Sequence, residues 1–450
     1  MNDDVLTEDR LRAGLQGIAE WGRPEQVPPL PAVAPAGAVE IGVPRASRLE
    51  KRTWWVAAAA IALVLGLVVA NLGGGGGELP HANASWRSMA SAPIEARAHP
   101  ARVWTGNELV VIGGQAADGS WVRDGAAYDP ESDTWRQLPD APTDVRPGSP
   151  AVWTGREVIV FPGTFPQDVA KTPSSFAPRP PIALDLATGQ WRELPDPRGG
   201  FSVAAVVVEQ RVLLLTNDTR AEFSVLELVG DAWVEHITVP HAMTGDSWSW
   251  DSFAIERGAL FVSLESRSPD AATVGFALEL PEAAGGTTEG RRAAPRMTPI
   301  PRPPGTGSEI DAHAGFAAGH LVVSGRLSGD RPRSFTERYD LDGRNWVSGT
   351  AAFEDKTAAR TSLWASVPGG VVVLGGTSSP WTDVRALRRI YDIAANEWRE
   401  LPAPPIDLDR GGAVGVWTGD ELVVWGGLAP RDGGGWAAAP LGALLTFATG

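Results

Sequence analysis

The sequence predicts an all-β body of repeated four-stranded sheets, standing behind a single membrane-spanning helix. Three observations predict it: one long uncharged apolar stretch, a recurring Trp-Thr-Gly phrase with β-branched runs behind it, and a Trp at fixed distance after an apolar residue in most repeats. The 450 residues are 43% hydrophobic with 52 Gly and 38 Pro, enough for one large domain or two ordinary ones and too apolar for disorder throughout. Cysteine is absent, so disulfides, Cys-ligated metals and thiol nucleophiles are excluded, and six His leave little for metal sites. No cofactor and no metal ligand set is expected. Net charge is −15, of which residues 73–450 carry −14, so that body repels nucleic acid. Only Lys51, Lys171 and Lys356 are lysine among 39 basic residues, a bias expected of a GC-rich bacterial gene.

Residues 53–77 hold no charge, and Trp54–Leu72 is nineteen residues long, about 28 Å as a helix at ~1.5 Å per residue. Residues 53–72 are therefore expected to cross a membrane. Arg45, Arg48, Lys51 and Arg52 precede the stretch and no base follows until Arg87, which keeps the amino terminus in the cytoplasm and sends the rest out of it. A 52-residue preamble is too long for a cleaved leader, so an uncleaved signal anchor is expected. Within residues 1–52, Leu6, Leu11, Leu15, Ile18 and Trp21 fall near helical spacing before a Pro/Ala-rich run. Residues 5–21 thus form a short amphipathic helix that could dock on a cytoplasmic protein partner. Residues 73–83 form a Gly-rich hinge.

From residue 84 the chain repeats itself. Trp104-Thr105-Gly106, Trp153-Thr154-Gly155 and Trp417-Thr418-Gly419 are each followed two residues on by Glu and an apolar run, and Gly113-Gly114, Gly375-Gly376 and Gly426-Gly427 end such runs. An apolar residue precedes a Trp by seven in Tyr128/Trp135, Leu184/Trp191, Leu226/Trp233, Tyr339/Trp346 and Tyr391/Trp398, and Trp-Arg-x-Leu-Pro recurs at 135, 191 and 398. The runs are too short for helices and rich in Val and Ile, so each unit reads as four short strands. One such unit cannot bury both faces alone. Stacking the units around an axis covers each with its neighbours, which is the β-propeller arrangement.

These residues resemble the kelch-repeat propellers in the Gly-Gly after the second strand and the aromatic and Trp at fixed separation in the third and fourth. The likeness spans 84–450 and departs in the middle, with Thr216-Asn217 in blade 3, Ser324-Gly325 in blade 5, and neither glycines nor Trp in blade 4. Second strands near 108, 157, 211, 259, 320, 371 and 421 imply seven blades; six with one large insertion is the alternative. The expected closure pairs 84–92 with 441–447, because Trp86-Arg87 matches the fourth-strand phrase while the last repeat ends after its third strand. A copper oxidase site on this fold requires a Cys–Tyr cross-link, which a chain without cysteine cannot form.

Successive strands alternate direction, so second-to-third and blade-to-blade connections share one face. Those connections include the long segments 164–181, 239–249, 301–313 and 428–440, and function usually lies on such loops. Arg97, Arg146 and Arg410 each precede a turn glycine by nine residues, Arg360 falls near the same slot, and Trp121, Trp381 and Trp436 lie in second-to-third connections. Bidentate cations beside flat apolar faces suit a carboxylate-bearing peptide or an acidic glycan. A repeated Arg can equally serve the repeat, bonding strand ends of the next blade. No catalytic residue is assigned. The expected function is a membrane-anchored, extracytoplasmic binding module for protein or glycan ligands; an extracytoplasmic carbohydrate-active enzyme and a transmembrane regulator reporting through the inner helix are the alternatives.

Overall fold

The recurring phrases close strands by identifiable bonds. In the computed structural model, the hydroxyls of Thr105, Thr154 and Thr418 accept the amide of the Glu three residues on at 2.9, 3.0 and 3.1 Å, and each Thr amide donates back to that Glu carbonyl. This side-chain turn ends one strand and starts the next. At the other hairpin of blades 1, 2, 5 and 6, Asp129, Asp185, Asp340 and Asp392 accept amides two or three residues on at 2.9–3.0 Å, which accounts for the Asp after each tyrosine. These bonds hold the Asp185 and Asp340 carboxyls below the usual carboxylate range, and at Asp129 the Ser132 hydroxyl does so first, with the amides adding to it.

The structure describes residues 84–162, 179–197, 201–217, 223–239, 249–256, 259–265, 273–279, 296–304, 310–327, 333–350, 362–375, 387–407, 410–431 and 435–447. The segment expected to span a membrane and the inner tail lie outside these residues. Among the described residues no helix is long and apolar enough to cross a membrane.

The described residues are all-β, a propeller of four-stranded antiparallel blades. Blade 1 is β2 (Ala101–Trp104), β3 (Leu109–Ile112), β4 (Gly125–Asp129) and β5 (Thr134–Leu138); blade 2 is β6 (Ala151–Trp153), β7 (Glu157–Val160), β8 (Ile182–Asp185) and β9 (Gln190–Glu193). Blade 3 is β10 (Phe201–Val208), β11 (Arg211–Asn217), β12 (Phe223–Val229) and β13 (Ala232–Val239). Blades 4, 5 and 6 are β14–β17 opening with Ser249–Glu256, β18–β21 opening with Ile310–Ala317, and β22–β25 opening with Ser362–Val367. A further four-stranded sheet is composite, in the order β1 (Ala84–Ser88), β30 (Ala443–Phe447), β27 (Glu421–Trp425), β26 (Val414–Trp417). There Ala84 pairs with Phe447 and Ser88 with Ala443. A two-stranded ribbon, β28 (Leu428–Pro430) with β29 (Trp436–Ala438), projects between β27 and β30.

First strands neighbour one another in the order β2, β6, β10, β14, β18, β22, β26 and back to β2, so they encircle an axis. The core lies between sheets rather than within them. Val110, Ile112 and Leu138 of blade 1 pack on Val158, Val160 and Leu184 of blade 2; Phe276 and Leu278 of blade 4 pack on Leu213 and Leu215 of blade 3. Blade 4 thus forms without glycine or Trp punctuation, because alternating apolar side chains suffice to cover its neighbour.

Where a fourth strand carries Trp, its indole in most cases explains the repeated phrase behind the preceding fourth strand, binding the carbonyl of that phrase's proline. Indole N–H groups of Trp191, Trp233 and Trp346 donate to the carbonyls of Pro139, Pro195 and Pro301 in the preceding blade at 3.1, 2.8 and 3.0 Å; Trp135 uses Ala90 and Trp86 uses Pro402, both at 2.9 Å. Blade 5 has Gly349-Thr350 in the Leu-Pro place, and Trp398 of blade 6 turns instead to the Thr336 hydroxyl at 2.9 Å. Three tyrosines lie against their Trp partners with ring centroids 5.0–5.2 Å apart. Burial pushes the Tyr391 hydroxyl up to about 12. In blade 3 the expected Leu226/Trp233 pair is corrected: Leu228 faces Trp233, because a tighter turn at Gly230-Asp231 brings the partner two residues closer.

Candidate functional site

The face of the Thr turns is occupied by the fold itself. Arg136, Arg192 and Arg87 of fourth strands reach across the third strand to Glu108, Glu157 and Glu421, each pair bonded twice at 2.7–3.1 Å. The Glu of the turn phrase and the Arg after the Trp are therefore two halves of one clasp. The arginine beside Glu157 holds its carboxyl below the ordinary value. Blade 3 reverses the charge: Arg211 takes the glutamate slot and pairs twice with Glu227 of β12 at 3.1 and 2.8 Å, with His236 of β13 on the same carboxylate.

On the opposite face, second-to-third and blade-to-blade connections are knitted together. Gly427 N–H donates to Arg97 O at 2.8 Å and Gly114 N–H to Val145 O at 2.9 Å, while His99 links Gly412 O and Gly148 N–H at 2.8 Å each. The paired glycines serve this mesh. A Cβ on Gly113, at φ +65°, would lie 2.3 Å from Val145 Cβ.

The slot arginines divide by the acceptor available. Arg97 is buried and takes Asp124, the residue before β4, with one oxygen at 2.9 Å, and Glu95 O at 2.7 Å. Arg410 is buried and donates to Asp407 O, Gly426 O and Leu441 O at 2.6, 3.1 and 2.8 Å. Both therefore bond the start of the third strand in their own sheet, not the next blade as the repeat argument expected. In blade 2 the slot equivalent to Asp124 is Pro180, since each lies four residues before the residue facing the Trp. Arg146 is buried instead beneath Trp121 of blade 1, its guanidinium carbon 5.3 Å from the ring centroid. Burial pulls Arg146 below the ordinary arginine value, nearby Arg179 pulls it further, and Asp144 opposes both. Arg179 itself bonds the Thr143 hydroxyl and Asp144 O.

Trp436, on β29, stands 45% exposed, and Leu441 beyond it 49% exposed. Arg360 and Trp381 lie outside the described residues. The structure thus brings Arg146 and Trp121 together, places Arg97 and Arg410 inside the mesh of their own sheets, and leaves Trp436 outward. Arg179 and Leu441 are additions that the repeat spacing did not mark, since neither occupies a repeated slot. Among the described residues no cluster of His, Asp or Glu could hold a metal ion.

A family model described as Kelch motif matches residues 97–142, which is blade 1 with its flanks. Together with the arrangement of blades this supports a kelch-repeat β-propeller, a fold that is in general a protein-binding module. A search of curated proteins finds no match.

Proposed function

We propose that the chain is a membrane-anchored, extracytoplasmic seven-bladed propeller that binds a protein partner on its long-loop face. The composite sheet counts as the seventh blade, a reading supported by its four strands and by its first strand lying between those of blades 6 and 1. The anchor is residues 53–72, supported by the uncharged stretch and the basic residues before it.

One observation carries the binding surface: Trp436 and Leu441 are exposed large hydrophobics five residues apart, on the connection between the second and third strands of the composite sheet. An outward Trp costs solubility and is the side chain that most often anchors a protein interface. Trp121 over Arg146 in the adjoining blade offers a second flat surface, backed by the positive charge of Arg179 for a partner's carboxylate.

The test is photo-crosslinking in native membranes with full-length chain, comparing wild type, Trp436→Ala with Leu441→Ala, and Val234→Ala as an exposed apolar control. Loss of crosslinked partner only in the double variant is expected. Equal capture in all three overturns the reading. Protease shaving of intact cells, which should remove the propeller and spare residues 1–52, tests the anchor separately.

A further inference from the structure

The strand that joins residues 1–83 to the propeller is β1, and its partner β30 comes from the opposite end of the described sequence. The two run antiparallel in register without a bulge: Ala84 faces Phe447, Trp86 faces Leu445 and Ser88 faces Ala443. The chain therefore enters β1 at Ala84 and β30 at Ala443, at opposite ends of the pair. A pull on the segment before Ala84, opposed by a pull on the connection before Ala443, runs along both strands and strains all their cross-strand bonds together. A pull opposed beyond Phe447 instead starts at one end and breaks them in turn. The connection before Ala443 is the one that carries Trp436 and Leu441, and Leu441 lies two residues ahead of the strand.

The segment also holds more than its own sheet. Among the described residues, Arg136 and Arg192 in the equivalent slots of blades 1 and 2 bond only their glutamates. Arg87 forks onto Glu421 at 3.1 and 2.7 Å and reaches past it to Pro130 O of blade 1 at 2.9 Å. Glu421 belongs to β27 and also accepts the Thr446 hydroxyl of β30 at 3.2 Å, so one carboxylate gathers three strands. Along its other edge β30 is braced by β27, with Glu421 facing Thr446 and Val424 facing Ala443. Trp86 Nε1–H bonds Pro402 O behind blade 6 at 2.9 Å, Met89 N–H bonds Gly442 O at 3.1 Å, and Ala90 N–H bonds the Asp133 carboxylate of blade 1 at 2.9 Å. One short segment is thus tied to the composite sheet and to both neighbouring blades.

We propose that the β1–β30 pair is a force-bearing joint, loaded in shear when a protein docked at Trp436 and Leu441 is pulled against the segment that precedes Ala84. Filling the edge of the sheet requires only the cross-strand bonds. The added bonds from Arg87 and Ala90 to blade 1, and from Trp86 to Pro402, spread a load over the neighbouring sheets. Separation along the strands then requires the whole set to fail at once, which raises the barrier to forced unfolding without a larger equilibrium stability. The use of the joint in the cell rests on the anchor and the docking surface proposed above. Its mechanics need neither, so a failed crosslinking test and a joint that fails under load are separate results.

The experiment is single-molecule pulling on the full-length protein in detergent. The chain has no native cysteine, so handles attach only where a thiol is placed. Asn83→Cys with Leu441→Cys loads the strand pair in shear, whereas Asn83→Cys with Gly450→Cys loads the same strands from adjacent ends. The shear geometry should rupture at a several-fold higher force while the two double variants melt together in solution. Ala437→Cys in place of Leu441→Cys repeats the shear geometry from a second point and carries the comparison if Leu441→Cys unfolds early. Arg87→Met should cut the shear force by a larger factor than the adjacent-end force, a difference that a role in stability alone does not produce. Equal rupture forces in the two geometries, or a higher force from the adjacent ends, overturn the proposal. An equal proportional loss from Arg87→Met in both geometries also overturns it, since the clasp would then serve the fold and not the joint.

Discussion

Replacing Trp135 by Phe tests whether the fourth-strand Trp locks neighbouring sheets. The indole lies between Tyr128 at 5.0 Å and Trp425 at 5.4 Å, and its N–H bonds Ala90 O at 2.9 Å across the boundary to the composite sheet. Phe keeps an aromatic ring in the cluster but loses the donor, a net cost of about 1 kcal/mol for the hydrogen bond. The smaller ring forfeits part of the buried area and leaves a partial void, costing about 1 kcal/mol more. The sum, about 2 kcal/mol, lowers the melting temperature of a domain this large by roughly 3 °C. Trp135→Ala also loses the ring contacts and should cost about 4 kcal/mol. Calorimetric scans of the three proteins in the same detergent provide the comparison, with Trp436→Phe as the exposed control. If Trp135→Phe melts with wild type while Trp135→Ala falls, the inter-sheet hydrogen bond adds nothing and the argument from the repeated indole–carbonyl contacts is wrong.

Three further outcomes follow from the bonds described. Arg192 is half exposed, so a double-mutant cycle with Glu157→Gln and Arg192→Met should give a coupling of only about 0.5 kcal/mol at low salt, vanishing in molar salt. Glu227 is buried between Arg211 and His236 with its pKa depressed, so its contribution is complete above the ordinary carboxylate pKa and disappears as pH falls through the lower folded value. Glu227→Gln should cost about 3 kcal/mol at neutral pH and flatten the acid limb of a stability–pH curve, whereas an unchanged limb rules Glu227 out as its source. Gly113→Ala must displace Val145 as well as strain a positive φ and should cost over about 3 kcal/mol, whereas Gly106→Ala, at φ +101° with nothing within 4 Å, should cost about 1 kcal/mol. Comparable denaturation midpoints for the two would contradict the close approach at Gly113.

Local chemistry was legible where one residue type serves one local bond. The Thr of the turn phrase, the Asp after each tyrosine and the alternating apolar strands announce hairpins within a few residues of themselves. What those residues bond to across a boundary was not legible. Nothing local to Trp191 indicates the carbonyl of Pro139, 52 residues earlier, because the contact depends on how two sheets are rotated against each other. The slot arginines illustrate the same limit: Arg97, Arg146 and Arg410 share a position, and their different fates turn on Asp124, Pro180 and Leu441 at another strand's start. Blade 4 marks the opposite case, a sheet without the Gly-Gly pair or the fourth-strand Trp, formed regardless by side-chain alternation.

The direction of the indole contacts has a consequence for synthesis. Trp135, Trp191, Trp233 and Trp346 all reach backward, to carbonyls translated earlier, so each newly emerged unit can fasten at once onto the one before it. Trp86 alone among these reaches forward, across 316 residues to Pro402. The earliest of the described strands, whose one pairing partner is β30, must therefore wait unpaired until nearly all of the polypeptide has been made, and that interval is when a chaperone or a neighbouring nascent chain has access to it.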